Sequence, residues 1–154
     1  LCLTALDAHI RGGEKVLDLG CGSGILSIAA LLLGAGHAFA CDIDDKCVDV
    51  AYENAALNGI GKDRYTVRWG DAVSDTALRA EIGGGYDLVV ANIVADVIMG
   101  LSPQVRQFLK PGGLFLTSGI IDDRAAEVMD KLRADGWDIA EINDDEGWFS
   151  FLCR

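Results

Sequence analysis

Three carboxylates and one amide stand where apolar runs end. Asp18 sits in Val16-Leu17-Asp18-Leu19, directly ahead of Gly20-Cys21-Gly22-Ser23-Gly24. Asp42 follows His37–Cys41, Asp71 follows Tyr65–Trp69 and Gly70, and Asn92 follows Tyr86–Ala91. Three glycines at alternate positions let the backbone turn sharply and let a ligand approach it closely. A carboxylate beside that turn repels a pyrophosphate and suits a cationic or amino-bearing ligand, so Asp18 is expected to point into a ligand crevice. Asp42 lies 20 residues beyond Gly22. At that spacing a carboxylate after the second strand accepts hydrogen bonds from two ribose hydroxyls, unless it serves as a structural cap. Ile43 is the apolar residue of an acidic turn, Asp42-Ile43-Asp44-Asp45, and is suited to lie against an adenine face. Asp44 or Asp45 is suited to cap the next helix. Asp71, with Ala72 after it, is suited either to accept an adenine amino group or to cap the turn that follows.

These groups need a scaffold that delivers them to one end. Alternating strand and helix patterns supply one, since open α/β sheets bind ligands beyond the C-terminal ends of their strands. Residues 1–10 read as a helix with Leu3, Leu6 and Ile10 on one face, stopped by Arg11-Gly12-Gly13. Residues 15–19 read as a first strand buried on both faces. Residues 24–34 read as a helix presenting Ile25, Ile28, Ala29 and Leu32 to the sheet, with Gly24 allowing its first turn to pack tightly. His37–Cys41 is the second strand, and 46–57 a helix with Val48, Ala51, Tyr52 and Ala55 inward, ended by Asn58-Gly59. Tyr65–Trp69 is the third strand, 73–82 a weak helix, and Tyr86–Ile93 the fourth strand. Residues 94–109 read as a helix through Val97, Leu101, Val105 and Leu109, interrupted by Pro103. Lys110–Gly113 is a turn, Leu114–Ser118 the fifth strand ended by Gly119, and 123–135 a helix with Ala126, Met129, Leu132 and Arg133. Residues 137–142 and 147–153 are strands around the acidic turn 143–147, close enough for an antiparallel hairpin at a sheet edge. No boundary interrupts the 154 residues, which read as one domain, 1–154.

Composition narrows the function. Half the residues are apolar, enough for one core. A formal charge of −11 argues against a broad nucleic-acid-binding face; Lys62, Arg64 and Arg68 read as a solvated loop and strand edge. Five scattered cysteines without a CxxC, and two histidines without ligand-spaced companions, give no metal motif. The thiols read as buried or half-buried in a reducing, cytoplasmic compartment. No apolar run has the length of a membrane span and no signal peptide is visible.

Alternating βα units closed by a hairpin, with Asp18-Leu19-Gly20-Cys21-Gly22-Ser23-Gly24, Asp42 and Asn92, resemble the class I S-adenosylmethionine-dependent methyltransferases. The resemblance implies an α/β, three-layer Rossmann-like fold. Its sheet has seven strands in order 3-2-1-4-5-7-6, with strand 7 antiparallel. It also implies S-adenosyl-L-methionine as cofactor. Gly20, Cys21, Gly22 and Gly24 would lie near its methionine part with Asp18, Asp42 would hold the ribose, and Ile43, Asp71 and Ala72 would surround the adenine. Asp18–Ala29, Val90-Ala91-Asn92-Ile93, Pro111-Gly112-Gly113, Leu116–Ile120, Leu1-Cys2-Leu3 and Glu146-Gly147-Trp148 more closely resemble the methyltransferases of the ribosomal protein at the base of the large-subunit stalk. The implied partner is therefore a ribosomal protein. That family's threonine pair before Leu-Cys-Leu, and its separate substrate-binding domain, have no counterpart in these residues. The expectation is a catalytic domain alone, with weakened cofactor binding.

Methyl transfer from a sulfonium is an in-line displacement in which the cofactor carries the chemistry and the protein orients it. The acceptor must arrive unprotonated. A chain N-terminus, with a pKa of about 8, meets that demand readily, whereas a lysine near 10.4 needs roughly 4 kcal/mol of help from its surroundings. No histidine is placed as a base. Asn92 is the candidate catalytic residue, holding the acceptor amine by its side-chain oxygen or placing the Ile93 carbonyl against it; its alternative role is bracing the cofactor or a loop. Nucleobase-amine enzymes often carry Asn-Pro-Pro-Tyr at this point, and Asn92-Ile93-Val94-Ala95 lacks the prolines and the aromatic ring. A nucleic-acid or small-molecule methyltransferase, and a cofactor-binding remnant without transfer activity, are the alternatives; a nicotinamide oxidoreductase fits the closing hairpin poorly.

Overall fold

A computed structural model describes residues 1–154. The elements run α1 (Cys2–His9), β1 (Lys15–Leu19), α2 (Ile25–Leu32), β2 (His37–Asp42), α3 (Lys46–Leu57), β3 (Tyr65–Trp69), α4 (Thr76–Ile82) and β4 (Tyr86–Asn92). They continue with α5 (Ala95–Leu101), a 3-10 turn (Val105–Gln107), β5 (Leu109–Ile121), α6 (Asp122–Ala134), β6 (Ile139–Asp145) and β7 (Trp148–Cys153). All seven strands join one sheet in the order β3-β2-β1-β4-β5-β7-β6. The first five strands are mutually parallel, and β7 runs antiparallel to both β5 and β6. The strand order and the antiparallel β7 are those expected.

Strand alternation divides the core into two layers. Val16, Leu88 and Val90 face the side covered by Leu6, Leu26, Leu31, Ala51 and Ala55 of α1–α3. Leu17, Leu19, Val89 and Ala91 face the side covered by Leu78, Ile98, Leu101, Val128 and Leu132 of α4–α6. Buried on both faces, β1 and β4 hold their C-terminal ends rigidly, which is what a site there requires.

Several helix faces differ from expectation. In α2, Ile25 and Leu32 are 59% and 60% exposed, while Leu26, Ser27, Ala30 and Leu31 are buried. The run Ile-Leu-Ser-Ile-Ala-Ala-Leu-Leu is apolar around its whole circumference, so periodicity cannot set its phase; Gly24, left-handed at φ 84°, sets it instead. In α1, Cys2 rather than Leu3 joins Leu6 in the core. The helix expected over 94–109 stops at Leu101, just before Pro103; Ile98 and Leu101 are buried, and Leu109 already belongs to β5. In α6 the inward residues are Ala125, Val128 and Leu132, with Ala126 and Arg133 outside. Helix α4 begins at Thr76, where the Asp75 carboxylate accepts from the Leu78 N–H.

Two local features shape the site's far wall. Gly119 does not end the fifth strand: β5 shifts register there and continues to Ile121 against Trp148. The β6–β7 turn is only Glu146-Gly147, at φ 48° and 81°, the two positive values of a tight two-residue hairpin turn, so the acidic residues Asp144 and Asp145 are in the strand.

Candidate active site

The glycine turn is fastened to the second strand before any ligand arrives. The Gly20 and Cys21 N–H groups both donate to the Cys41 carbonyl, at 2.9 and 3.0 Å. A Cβ on Gly20 would lie 2.5 Å from Ile93 Cγ2, so only glycine lets β1 and the end of β4 meet this closely. Asp42 continues the fastening. Its Oδ2 accepts from the Gly22 N–H at 2.9 Å and its Oδ1 from the Asp44 N–H at 2.9 Å. A carboxylate offers about four lone-pair directions, so acceptor capacity remains on both oxygens. Asp44, not Asp45, serves the start of α3, accepting from the Lys46 N–H at 3.0 Å.

Beyond the ends of β1, β2 and β3 lies a cavity of about 330 Å³, bordered by Leu19, Gly20, Cys41, Asp42, Ile43, Gly70, Asp71, Ala72 and Val73, and closed by Ile93, Val94, Val97 and Leu101. Its volume is that of a small-ligand site and its lining is mostly apolar. Ile43, 73% exposed, presents an apolar side chain at the edge of this cavity. Two side chains that the sequence reading passed over set this wall. The Trp69 indole N–H donates to the Ile43 carbonyl at 3.0 Å. Arg79 Nη1 donates to the Val73 carbonyl and, at 2.8 Å, to Gln104 Oε1, holding the 71–75 loop from behind. Neither stands in a motif, so spacing gave no signal for them.

Asp71 is braced by its own loop and, like Asp42, keeps acceptor capacity on both oxygens. Its Oδ1 accepts from the Val73 N–H at 2.8 Å and its Oδ2 from the Ser74 hydroxyl at 2.9 Å. It borders the cavity and also caps a turn, while Asp75 caps the helix.

Asp18 corrects an expectation. It is 1% exposed and lines neither this cavity nor the one beside Asn92. Its Oδ2 accepts from the Ser27 N–H at 3.2 Å and the Ser27 hydroxyl at 2.8 Å. Burial pushes its pKa up to about 6, against the lowering effect of the Ser27 hydrogen bonds and with a further push from Asp42. Alternation along β1 explains the orientation: Asp18 shares its face with Val16, under α2, so the side chain cannot also reach the open end. Cys21 is likewise buried, its thiol pKa driven up chiefly by that burial, and Cys21, Gly22 and Gly24 do not border the cavity. All five cysteines are free thiols.

Asn92 faces a second cavity, about 470 Å³, formed by the ends of β4, β5 and the closing hairpin with Leu1 and Cys2. The Asn92 side chain is exposed there, with Ser118, Gly119, Asp145, Glu146 and Trp148 around it. A Cβ on Gly119 would lie 2.9 Å from Asn92 Oδ1 and 3.0 Å from the Ile93 carbonyl, so the bulge glycine is what admits the amide. The Ile93 N–H donates to the Ser118 carbonyl at 3.2 Å. Asn92 and Ile93 thus stand between the two cavities, one residue bordering each. The sequence had named neither Ser118 nor Gly119 as site residues; Ser118 reaches Asn92 by pairing across β4 and β5, and the part of Gly119 depends on the β5 bulge.

Known proteins share this sequence and fold. The family model for ribosomal protein L11 methyltransferase (PrmA) matches residues 1–154. The ribosomal protein L11 methyltransferase of Limosilactobacillus fermentum is 45% identical over 154 residues, covering 100% of this chain and 46% of that protein. The crystal structure of ribosomal protein L11 methylase from Lactobacillus delbrueckii subsp. bulgaricus superposes with a TM-score of 0.89 at 31% identity, over 99% of this chain and 75% of that one. A TehB-like SAM-dependent methyltransferase from Corynebacterium glutamicum superposes at 0.77 with 15% identity, over 99% of this chain and 85% of that one, which speaks to the fold alone. The chain spans about half the length of the curated relatives it matches. With the family match running from the first residue to the last, over a sheet of the same strand order and a crevice at its glycine turn, this chain belongs to the ribosomal protein L11 methyltransferase family.

Proposed function

We propose that the chain is the catalytic domain, residues 1–154, of a cytoplasmic S-adenosylmethionine-dependent N-methyltransferase acting on amino groups of a ribosomal protein, lysine side chains or the chain N-terminus. The observation that carries this reading is the pair of cavities meeting at Asn92-Ile93, one apolar and bordered by a carboxylate, the other polar and open. A sulfonium nucleoside fits the first. The apolar slot beside exposed Ile43 suits an adenine, and Asp42 retains acceptor capacity for ribose hydroxyls. Family membership supports the same cofactor, and the names of the relatives support ribosomal protein L11 as the methylated partner.

When bound, the cofactor supplies a methyl group on a positively charged sulfur. The residues of this chain orient and select. Asp42 accepts from the ribose, with the Gly22 amide keeping the carboxylate in place. Ile43 and Ala72 face the base, and Gly20, Cys21, Gly22 and Gly24 shape the turn beside the methionine part. The Asn92 Oδ1 and the Ile93 carbonyl are the acceptors that orient an approaching amine, taking its N–H hydrogen bonds so that the lone pair of the neutral form faces the methyl group. Asp145 and Glu146, at the mouth of the second cavity, attract a cationic segment.

The test is transfer of label from methyl-labelled S-adenosylmethionine to purified ribosomal protein L11, with binding measured separately by calorimetry. Label on amino groups is the expected result. Absence of cofactor binding overturns the reading, and binding without transfer to L11 or to a free amine points to a cofactor-binding module.

A further inference from the structure

Helix α2 opens without any cap of its own. Its N-cap position is Gly24, which has no side chain to offer, and its first turn holds no acidic residue. Helix N-termini nonetheless need acceptors for their free N–H groups. Asp18, nine residues back on β1, supplies one: its Oδ2 takes the Ser27 N–H. One carboxylate therefore ties the strand before the glycine turn to the helix after it, and so braces both ends of a turn that β2 holds through Gly20, Cys21 and Gly22.

The Asp18 carboxylate has a second layer of support. The Ser27 Oγ lies 2.8 Å from Asp18 Oδ2 and 2.7 Å from the Tyr65 hydroxyl, and all three side chains are buried. Serine has a single hydroxyl proton. When it points to Asp18, the Tyr65 hydroxyl must donate to Ser27, so the order is fixed as Tyr65 to Ser27 to Asp18. The same tyrosine oxygen lies 2.7 Å from where a Cβ on Gly24 would be, so it also abuts the last residue of the turn.

We infer that Ser27 and Tyr65 are positioning residues for the cofactor, acting through Asp18 to hold the glycine turn in its receiving shape. The inference rests on the function proposed above. The donor chain from β3 offsets the cost of keeping a carboxylate charged in a dry site, where hydrogen bonds to the charged form count most. The titratable groups around Asp18 are Asp42 and Cys41 on β2, Cys21 in the turn, Cys2 on α1 and Tyr65 on β3. None is a cation, so hydrogen bonds rather than an ion pair sustain the charge. With Asp18 protonated, its Oδ2 no longer needs the Ser27 proton, and the hydroxyl is released to its other neighbour, the Gly24 carbonyl at 3.3 Å.

The test compares wild type with Tyr65→Phe, Ser27→Ala and Ser27→Thr. The Asp18 Cγ resonance in protein labelled with 13C-aspartate is titrated by NMR, and S-adenosylmethionine binding is measured by calorimetry from pH 5 to 8. Tyr65→Phe and Ser27→Ala raise the Asp18 midpoint by about one pH unit. Their affinity loss relative to wild type is then about twofold at pH 7, close to tenfold at pH 5 and absent at pH 8. Ser27→Thr, which keeps the hydroxyl, restores the wild-type midpoint. An unchanged midpoint in Tyr65→Phe, or an affinity loss equal at every pH, overturns the inference, because a packing defect has no reason to follow the ionisation of Asp18. Failure of the wild-type chain to bind S-adenosylmethionine sinks the proposed function instead, and the NMR arm still decides the hydrogen-bond chain.

Discussion

The two cavities are built by opposite methods. Around the first, polar groups are already held in place within the protein, each carboxylate with lone pairs to spare: Asp42 by Gly22 and Asp44, the Ile43 carbonyl by Trp69, Asp71 by Val73 and Ser74. Around the second, Asn92 is exposed and fitted against a glycine, and Asp145, Glu146 and Trp148 come from a hairpin at the sheet edge. The first is suited to a ligand of constant shape, which rewards rigidity. The second is suited to an amine carried on a larger partner, which must enter, turn and leave. Losses at the first should appear as affinity, and losses at the second as rate.

Asn92→Ala is the sharpest way to break that division. It removes an acceptor that matters when the amine is aligned for attack, so turnover should fall about a thousandfold while S-adenosylmethionine affinity stays within about twofold. Single-turnover methyl transfer and calorimetry read the two separately. Equal losses in both would make Asn92 part of the cofactor site and dissolve the contrast.

Asp18 puts a number on the rigidity of the first cavity. Unfolded, it titrates near 3.9; folded, at about 6. Between those values the folded chain keeps a proton that the unfolded chain has released, so stability falls as pH rises through that window and is level above it. Two pKa units correspond to about 3 kcal/mol of stability given up at pH 7. Asp18→Asn abolishes the charge but keeps one acceptor for Ser27, so it should raise stability by about 2 kcal/mol at pH 7 and by nothing at pH 4. Denaturant midpoints at the two pH values check this. Weaker cofactor binding in the more stable variant would show that the charge is retained for function.

Asp42→Ala tests the same cavity from its open side. Loss of the ribose acceptor should weaken S-adenosylmethionine binding about tenfold with circular dichroism unchanged. Unchanged affinity by calorimetry would remove Asp42 from the site.

Legibility in the sequence follows the same division. The bounds of β1 and β3, the place of Asp42 at the end of β2 and the closing hairpin were readable because strand ends, glycine turns and a 20-residue spacing are local signals. Asp18 was readable as important and misread as to direction, since a period of two names two faces without saying which helix covers each or whether the cavity opens on either. The phase of α2 was hidden by its uniformly apolar run, and that of α6 by small and amphipathic residues that tolerate either side. The second cavity was least legible: Ser118 pairs with Asn92 along the β4–β5 ladder, but Gly119 looks like a strand end, and only the register shift against β7 carries β5 on to Ile121 and brings Trp148 to the same cavity. Ser27, Tyr65, Trp69 and Arg79 act across the fold, by contacts of long sequence separation that no spacing rule encodes.

The smallest predicted effect separates shape from contact within the first cavity. The Trp69 ring is largely exposed, yet its N–H holds the carbonyl of Ile43. Trp69→Phe keeps an aromatic ring at the same place and removes that single donor. If Ile43 is positioned by the hydrogen bond, cofactor affinity should fall by about threefold to fivefold, the worth of one partly exposed neutral hydrogen bond, with turnover at saturation unchanged. If the ring itself were the contact that mattered, Trp69→Phe would be silent and Trp69→Ala would carry the loss. Calorimetry on the two variants distinguishes a wall held in place from a wall that touches the base.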